Sequence, residues 1–189
     1  MPWGFWLPVI VAGVLAGAST SALGVYVVGR RIPFVAVFIS HAALAGAVFG
    51  ALAGLGEELM LLPALGAALA AALLQGVLEG RGSAVAGSLL IGVLFTLSMG
   101  LAFLGIGLFP LLGKSSNSVL RLLWGSLLFC QWDDVALMAS LAAAEGLFLL
   151  IFAKEMRAIL LSPRHAEAAG VHAGFVWTAF LVLTSALVT

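Results

Sequence analysis

Charge is what this chain has least of: 8 Lys and Arg, 8 Asp and Glu, 8% of its 189 residues in all, where a soluble domain carries roughly a quarter. A formal net charge of +0 leaves no cationic excess to neutralise phosphates, which excludes nucleic acid as a partner. The single cysteine, Cys130, excludes an internal disulfide and a cysteine metal cluster within one chain, and it reads as inert. No Gly-rich loop leads into Lys-Ser or Lys-Thr, so ATP is not bound in the P-loop manner. A His-Glu-x-x-His zinc pair is absent, and the polar residues do not assemble an intramembrane protease. The chain is therefore not read as an enzyme, and no cofactor is expected in it. The opening MPWGFW has no Lys or Arg before a long apolar run, so it lacks the charged region of a signal peptide and reads as a retained membrane helix.

What the chain has is apolar length. Hydrophobic residues make up 63% and mean hydropathy is +1.24, values that belong in a bilayer. Six stretches approach the roughly 20 residues that a spanning helix needs: 7–28, 33–55, 59–78, 84–109, 135–153 and 174–189. They are continuous rather than alternating, and lipid admits only helices or closed barrels. The expected fold is therefore all-α, a polytopic transmembrane bundle of about six spans in one domain, 1–189. The fourth stretch is long enough to tilt or break near Gly100, and 119–129 is too short to span. Orientation follows from the connections. The first, third and fifth hold Arg30, Arg31, Arg81, Lys154, Arg157 and Arg164, whereas the second and fourth hold only Lys114 and Arg121. Cytoplasmic loops carry the Lys/Arg excess, which puts the N-terminus outside. Trp3, Trp6, Trp124 and Trp132 then fall in the outer aromatic belt and Trp177 in the inner one.

Small residues recur every fourth position in Gly13, Gly17 and Ser21, in Gly46, Gly50 and Gly54, and in Gly92, Thr96 and Gly100. Such faces let helices approach closely and predict a tight bundle, without saying what it carries. Ionisable groups at membrane depth are expensive and are kept for a reason. His41 reads either as a pathway or gate residue and metal ligand, or as a histidine hydrogen-bonded between packed helices beside Ser40. Glu145, midway along the fifth span, is a candidate pathway residue together with Ser40. Glu57 and Glu58, and Asp133 and Asp134, lie in outer connections, where they read as solvated turns or as contacts for a binding protein. His165 and His172 share an inner loop but lack a third ligand.

That inner loop, 154–173, places Ser162 and Pro163 as N-cap and first-turn residues, helix formers from Arg164 to Ala169, and Gly170 as a stop. A short helix outside the bilayer between two spans is a shape by which a membrane subunit docks a partner; the alternative is a solvated loop.

Four constellations recur in one order. Arg30-Arg31 with Phe34 precede Ile39-Ser40-His41-Ala42 and Gly46; Ile91-Gly92 stand with Phe95-Thr96; Leu123-Trp124-Gly125-Ser126-Leu127 precede Asp133; and Ser162 stands before Ala166 and Gly170. Together they resemble the metal-uptake branch of ABC importer permeases, which carry zinc, manganese or iron, over about 24–170. The resemblance implies a permease in a prokaryotic inner membrane, coupled through Ser162, Ala166 and Gly170 to a separate cytoplasmic ATPase and served by an extracytoplasmic metal-binding protein. It implies a homodimer in membrane lipid with the path at its interface, and a divalent metal ion as transported substrate. The departures are as informative. Val37 stands where the family has an acidic residue one turn before the histidine, and Gly87 and Ser88 replace an acidic pair. The family continues for about two more helices, so a truncated or divergent permease, or a non-transporting membrane scaffold, is the second reading.

Overall fold

The computed structural model describes residues 3–56, 59–79, 84–114 and 130–189. Eight helices lie among them: α1 (Trp3–Gly29), α2 (Val35–Leu52), α3 (Leu61–Glu79), α4 (Ala84–Leu111), α5 (Trp132–Ile151), α6 (Ala153–Leu161), α7 (Pro163–Ala168) and α8 (Ala173–Val188). Glu57, Glu58, Arg81, Arg121, the short stretch 119–129 and the Leu123–Leu127 constellation lie outside the described residues. So do the side chains of Trp3, Gly87 and Ser88. Five helices, α1 to α5, are long and apolar enough to cross a membrane, and α8 is a shorter apolar helix of 16 residues.

Five of the six expected spans therefore stand as helices long enough to cross, with the sixth stretch forming the shorter α8, and two of the five are adjusted. α4 runs through Gly100 without a break, 28 residues in all, or about 42 Å at 1.5 Å per residue. That exceeds a hydrocarbon core of about 30 Å, so it tilts or projects. The fifth span ends at Phe152, whose backbone (φ −97°, ψ 22°) leaves the helical region and turns the chain into α6.

α2 is the centre of the bundle. Half of its span is buried, against 11% for α1 and α5; it packs on α3 and α4, while α8 lies across α3 and α5, and α1 lies on α5. Ile39, Val35, Ala68, Ile91, Phe180 and Leu181 meet in one apolar cluster. A Lys114 ammonium donates to the Leu52 carbonyl at 2.7 Å, placing a cation on the C-terminal end of α2, where the helix dipole favours it.

The small-residue faces divide sharply. A Cβ at Gly46 would strike the Pro63 carbonyl and come within 2.7 Å of the Ala67 methyl, and one at Gly50 would strike the Pro63 ring, so α2 and α3 touch through these glycines. Gly54 is not part of this face: it follows α2 at φ +91°, a turn that glycine adopts freely. Gly13 and Gly17 on α1, and Gly92 and Gly100 on α4, meet nothing within 4 Å. Among the described residues nothing packs on the glycines of those two faces. Gly46→Ala is expected to destabilise the bundle by about 1–3 kcal/mol through overpacking, while Gly17→Ala leaves it unchanged or slightly firmer through better helix propensity. Thermal unfolding of the two variants in detergent checks this, and equal melting would contradict the α2–α3 contact.

Trp177 departs from the expected belt position. It is 3% exposed, tilted on Phe180 with ring centroids 5.1 Å apart, and covered by the Arg30 guanidinium 4.9 Å above its ring. The cation–π contact draws the indole inward. Trp6 and Trp132, 43% and 53% exposed, keep an outward setting.

Candidate functional site

The paired-arginine turn is a helix corner. Arg31 takes a left-handed backbone, φ 62°, uncommon outside glycine, and lets Ile32 N–H reach the Val27 carbonyl at 3.0 Å while Arg31 N–H bonds the Val28 carbonyl at 2.9 Å. Ile32 is thereby buried at 3% exposure. Arg30 fastens the corner to α8 through Trp177, so the chain enters α2 in a fixed direction.

Two turns along α2, His41 faces α4. Its ring stands edge-on to Phe95, centroids 5.1 Å apart at 66°, so the second and fourth helices' constellations meet in space. Among the described residues no hydrogen bond holds the imidazole. Ser40 does not serve it, since its hydroxyl donates to the Val37 carbonyl at 2.9 Å. Val37 lies one turn before His41 on the same side and is 40% exposed. This face of α2 is thus partly open, with one imidazole and, among the described residues, no carboxylate. No group of three or more His, Cys, Asp or Glu among the described residues is placed to hold a metal ion.

Glu145 belongs to another part of the bundle. It is 2% exposed on α5, whose packing is chiefly on α1 and α8, whereas α2 packs on α3 and α4; the structure does not gather it with His41 and Ser40 into one site. Among the described residues its buried Oε1 has no hydrogen-bond partner, and neither has either amide atom of Gln75 on α3. Gln75, 0% exposed, is a buried polar group that sequence reasoning missed, because a lone glutamine near a helix end reads as solvated. Buried hydroxyls behave differently, bonding their own helix: Thr184 to Phe180 O at 2.8 Å and Ser185 to Val182 O at 2.7 Å.

The 154–173 segment folds as expected, though its residues divide their roles. Ser162 Oγ caps α7, accepting from His165 N–H at 3.4 Å and lying 2.8 Å from His165 Nδ1. Gly170, φ 86°, ends it: Val171 N–H bonds Ala166 O at 3.0 Å and Gly170 N–H bonds Glu167 O at 2.9 Å, the paired pattern of a Schellman stop. Ala166 is 2% exposed and belongs to the apolar cluster of the bundle. The three motif residues therefore shape and anchor α7, and its free surface is made by Arg164, His165, Glu167 and Ala168. An open hollow beside it is lined by Glu167, Gly170, His172 and a 72% exposed Phe175.

At the other end, Asp134 Oδ2 accepts from Gln131 N–H at 2.9 Å in a reciprocal capping box that starts α5. Asp134 is thus committed to a cap, with Asp133 beside it in the first turn. Burial, then the Asp134 charge, pushes the Cys130 thiol above its ordinary range, which disfavours the reactive thiolate.

The two helix motifs that converge at His41 and Phe95 sit within a match that runs almost end to end: residues 3–189 match the ABC 3 transport family. The chain belongs to that family. A manganese transport system membrane protein, MntC, of Listeria innocua is 27% identical over 190 residues, covering 100% of this chain and 64% of the relative. A probable metal transport system membrane protein of Thermotoga maritima is 26% identical over 188 residues, covering 96% of this chain and 63% of the relative. Among solved structures, PsaBC of Streptococcus pneumoniae in complex with Fab aligns with a TM-score of 0.67 at 24% identity, over 98% of this chain and 62% of that one, which establishes the shared fold. The chain spans somewhat under two thirds of the length of these relatives.

The matched residues 3–189 include the helix-corner arginines, the α2 histidine and the capped α7.

Proposed function

We propose that this chain is the membrane permease subunit of an ATP-driven importer of divalent metal ions, forming the translocation path and coupling to a separate cytoplasmic ATPase. The family match over residues 3–189 carries the proposal, and the names of the Listeria relatives support manganese as one candidate ion beside zinc and iron. The geometry supports it in two places. His41 stands on a partly open face of the central helix, and α7 is held rigidly by its caps and by Ala166 with a charged surface free. In this reading two copies form the path between them. ATP binding draws the two α7 helices together and alternates access, an extracytoplasmic binding protein delivers the ion, and the protein resides in a prokaryotic inner membrane.

The open faces of α1 and α4, lined by Gly13, Gly17, Gly92 and Gly100, suit close approach by further helices. Val37 favours a second reading, a family member that holds a transporter's architecture without moving metal, because one imidazole is a poor divalent site.

Uptake of radioactive manganese into proteoliposomes containing the chain, the ATPase and the binding protein separates the two. ATP-dependent uptake is expected, and intact assembly without uptake would select the scaffold. Orientation has its own check, after Cys130→Ser removes the native thiol. Single cysteines at Gly56 and Ser116 should react with an impermeant reagent from outside, and those at Gly80 and Ser162 only from inside. The opposite pattern would overturn the orientation and with it the docking role of α7.

A further inference from the structure

α6 links the last long span to α7, and its two sides differ in kind. Met156 and Ile159, 0% and 1% exposed, enter the core, and Leu160 lies against Gly29 at the inner end of α1, where a Cβ would come within 2.9 Å of it. The opposite side carries Lys154, Arg157 and Leu161, spaced i, i+3 and i+7 and so aligned in one stripe. Both cations are exposed. Leu161 is 89% exposed, and just before α6 begins Leu150 and Ile151 are 78% and 63% exposed. The sequence along this surface is therefore apolar, basic, apolar.

Neither water nor the hydrocarbon core suits such a stripe alone. Bare aliphatic side chains want acyl chains, while Lys154 and Arg157, with Cβ atoms about 5–6 Å apart at this spacing, want anionic oxygen. The nearest acid in sequence, Glu155, is turned aside with Oε2 buried and unpartnered, and neither cation forms a salt bridge among the described residues. Long basic side chains at a membrane boundary lay their stems on apolar surface and lift their charges to the headgroups. We propose that this face of α6 seats an anionic phospholipid of the inner leaflet, its phosphate on Lys154 and Arg157 and its chains along Leu150, Ile151 and Leu161. The lipid thereby fixes the level at which α7 leaves the membrane. The proposal rests on the permease reading for its membrane setting, yet its test reads lipid and not transport, so either can fail without the other.

Native mass spectrometry of the full chain, released from detergent holding equal phosphatidylglycerol and phosphatidylcholine, is the test. Retention of phosphatidylglycerol over phosphatidylcholine is expected, falling about five-fold for each cation removed and so about 25-fold in K154Q/R157Q. R164Q, on α7 and off the stripe, should retain lipid as the parent does. Equal retention of the two lipids, unchanged retention in the double variant, or displacement by inorganic phosphate alone would overturn the proposal. Should K154Q/R157Q not fold, a spin label at L161C in the Cys130→Ser background decides. Greater accessibility to oxygen than to a nickel chelate supports the interfacial seat. The reverse, or immobilisation only when the ATPase is bound, assigns the face to water or to the ATPase and ends the lipid proposal.

Discussion

If α7 docks an ATPase, arginine at position 168 will strip that ATPase from the chain and leave the bundle intact, whereas arginine at position 166 will damage the bundle itself. The two alanines lie two residues apart on α7 and face opposite ways: Ala166 is 2% exposed within the apolar cluster, and Ala168 is exposed. Burying a guanidinium at 166 without a partner costs several kcal/mol. On an exposed helix surface the same change stays within about 0.5 kcal/mol. A bulky cation at the centre of a docking surface, by contrast, removes more than about 2 kcal/mol of binding when it blocks a packed contact, a loss of at least about thirty-fold in affinity. Co-purification with the ATPase, ATP hydrolysis by the complex and thermal unfolding of the permease together give the answer. Ala168→Arg should lose the first two and keep the third, and Ala166→Arg should lose all three. Normal ATPase binding by Ala168→Arg would remove α7 as the docking element.

The pattern of α7 shows how far the sequence could be read. Ser162, Pro163 and Gly170 announced a capped helix because their side chains and backbone freedom act locally, and the helix is where they put it. Ala166 belonged to the same pattern, yet a motif does not tell which way an alanine faces. In this chain it faces its own core.

The same limit governed the spans. Continuous apolar length located them, since lipid demands it along the whole helix. Lipid and core are equally apolar, however, so sequence periodicity could not say that α2 would be half buried and α1 almost bare. Of the glycines on three small-residue faces, only Gly46 and Gly50 meet a neighbour among the described residues. Trp177 obeyed a contact across the fold, the Arg30 guanidinium, which belt statistics do not contain. The meeting of His41 and Phe95 was legible only as two motifs on separate helices, and nothing local joined them.

Restoring a carboxylate at position 37 should turn that meeting place into a measurable metal site. In Val37→Asp the new side chain stands one turn before His41 on the same side of α2, and Val37 is 40% exposed in the single chain, so a carboxylate there has room to turn toward the imidazole. A nitrogen and an oxygen donor on one face suit manganese or zinc where a lone imidazole does not. Even an outer partner of a metal ligand commands about ten- to a hundred-fold in affinity, so a second direct ligand should raise manganese affinity by at least about tenfold. His41→Ala in the Val37→Asp background should cancel the gain, because the introduced carboxylate alone is again a single ligand. Isothermal titration of the purified chain, with Ser40→Ala as a neighbour that bonds only its own helix, separates a site from a general charge effect. Equal gain with and without His41 would mean that the aspartate attracts cations nonspecifically. No gain in either would place the path away from this face of α2 and remove His41 from it.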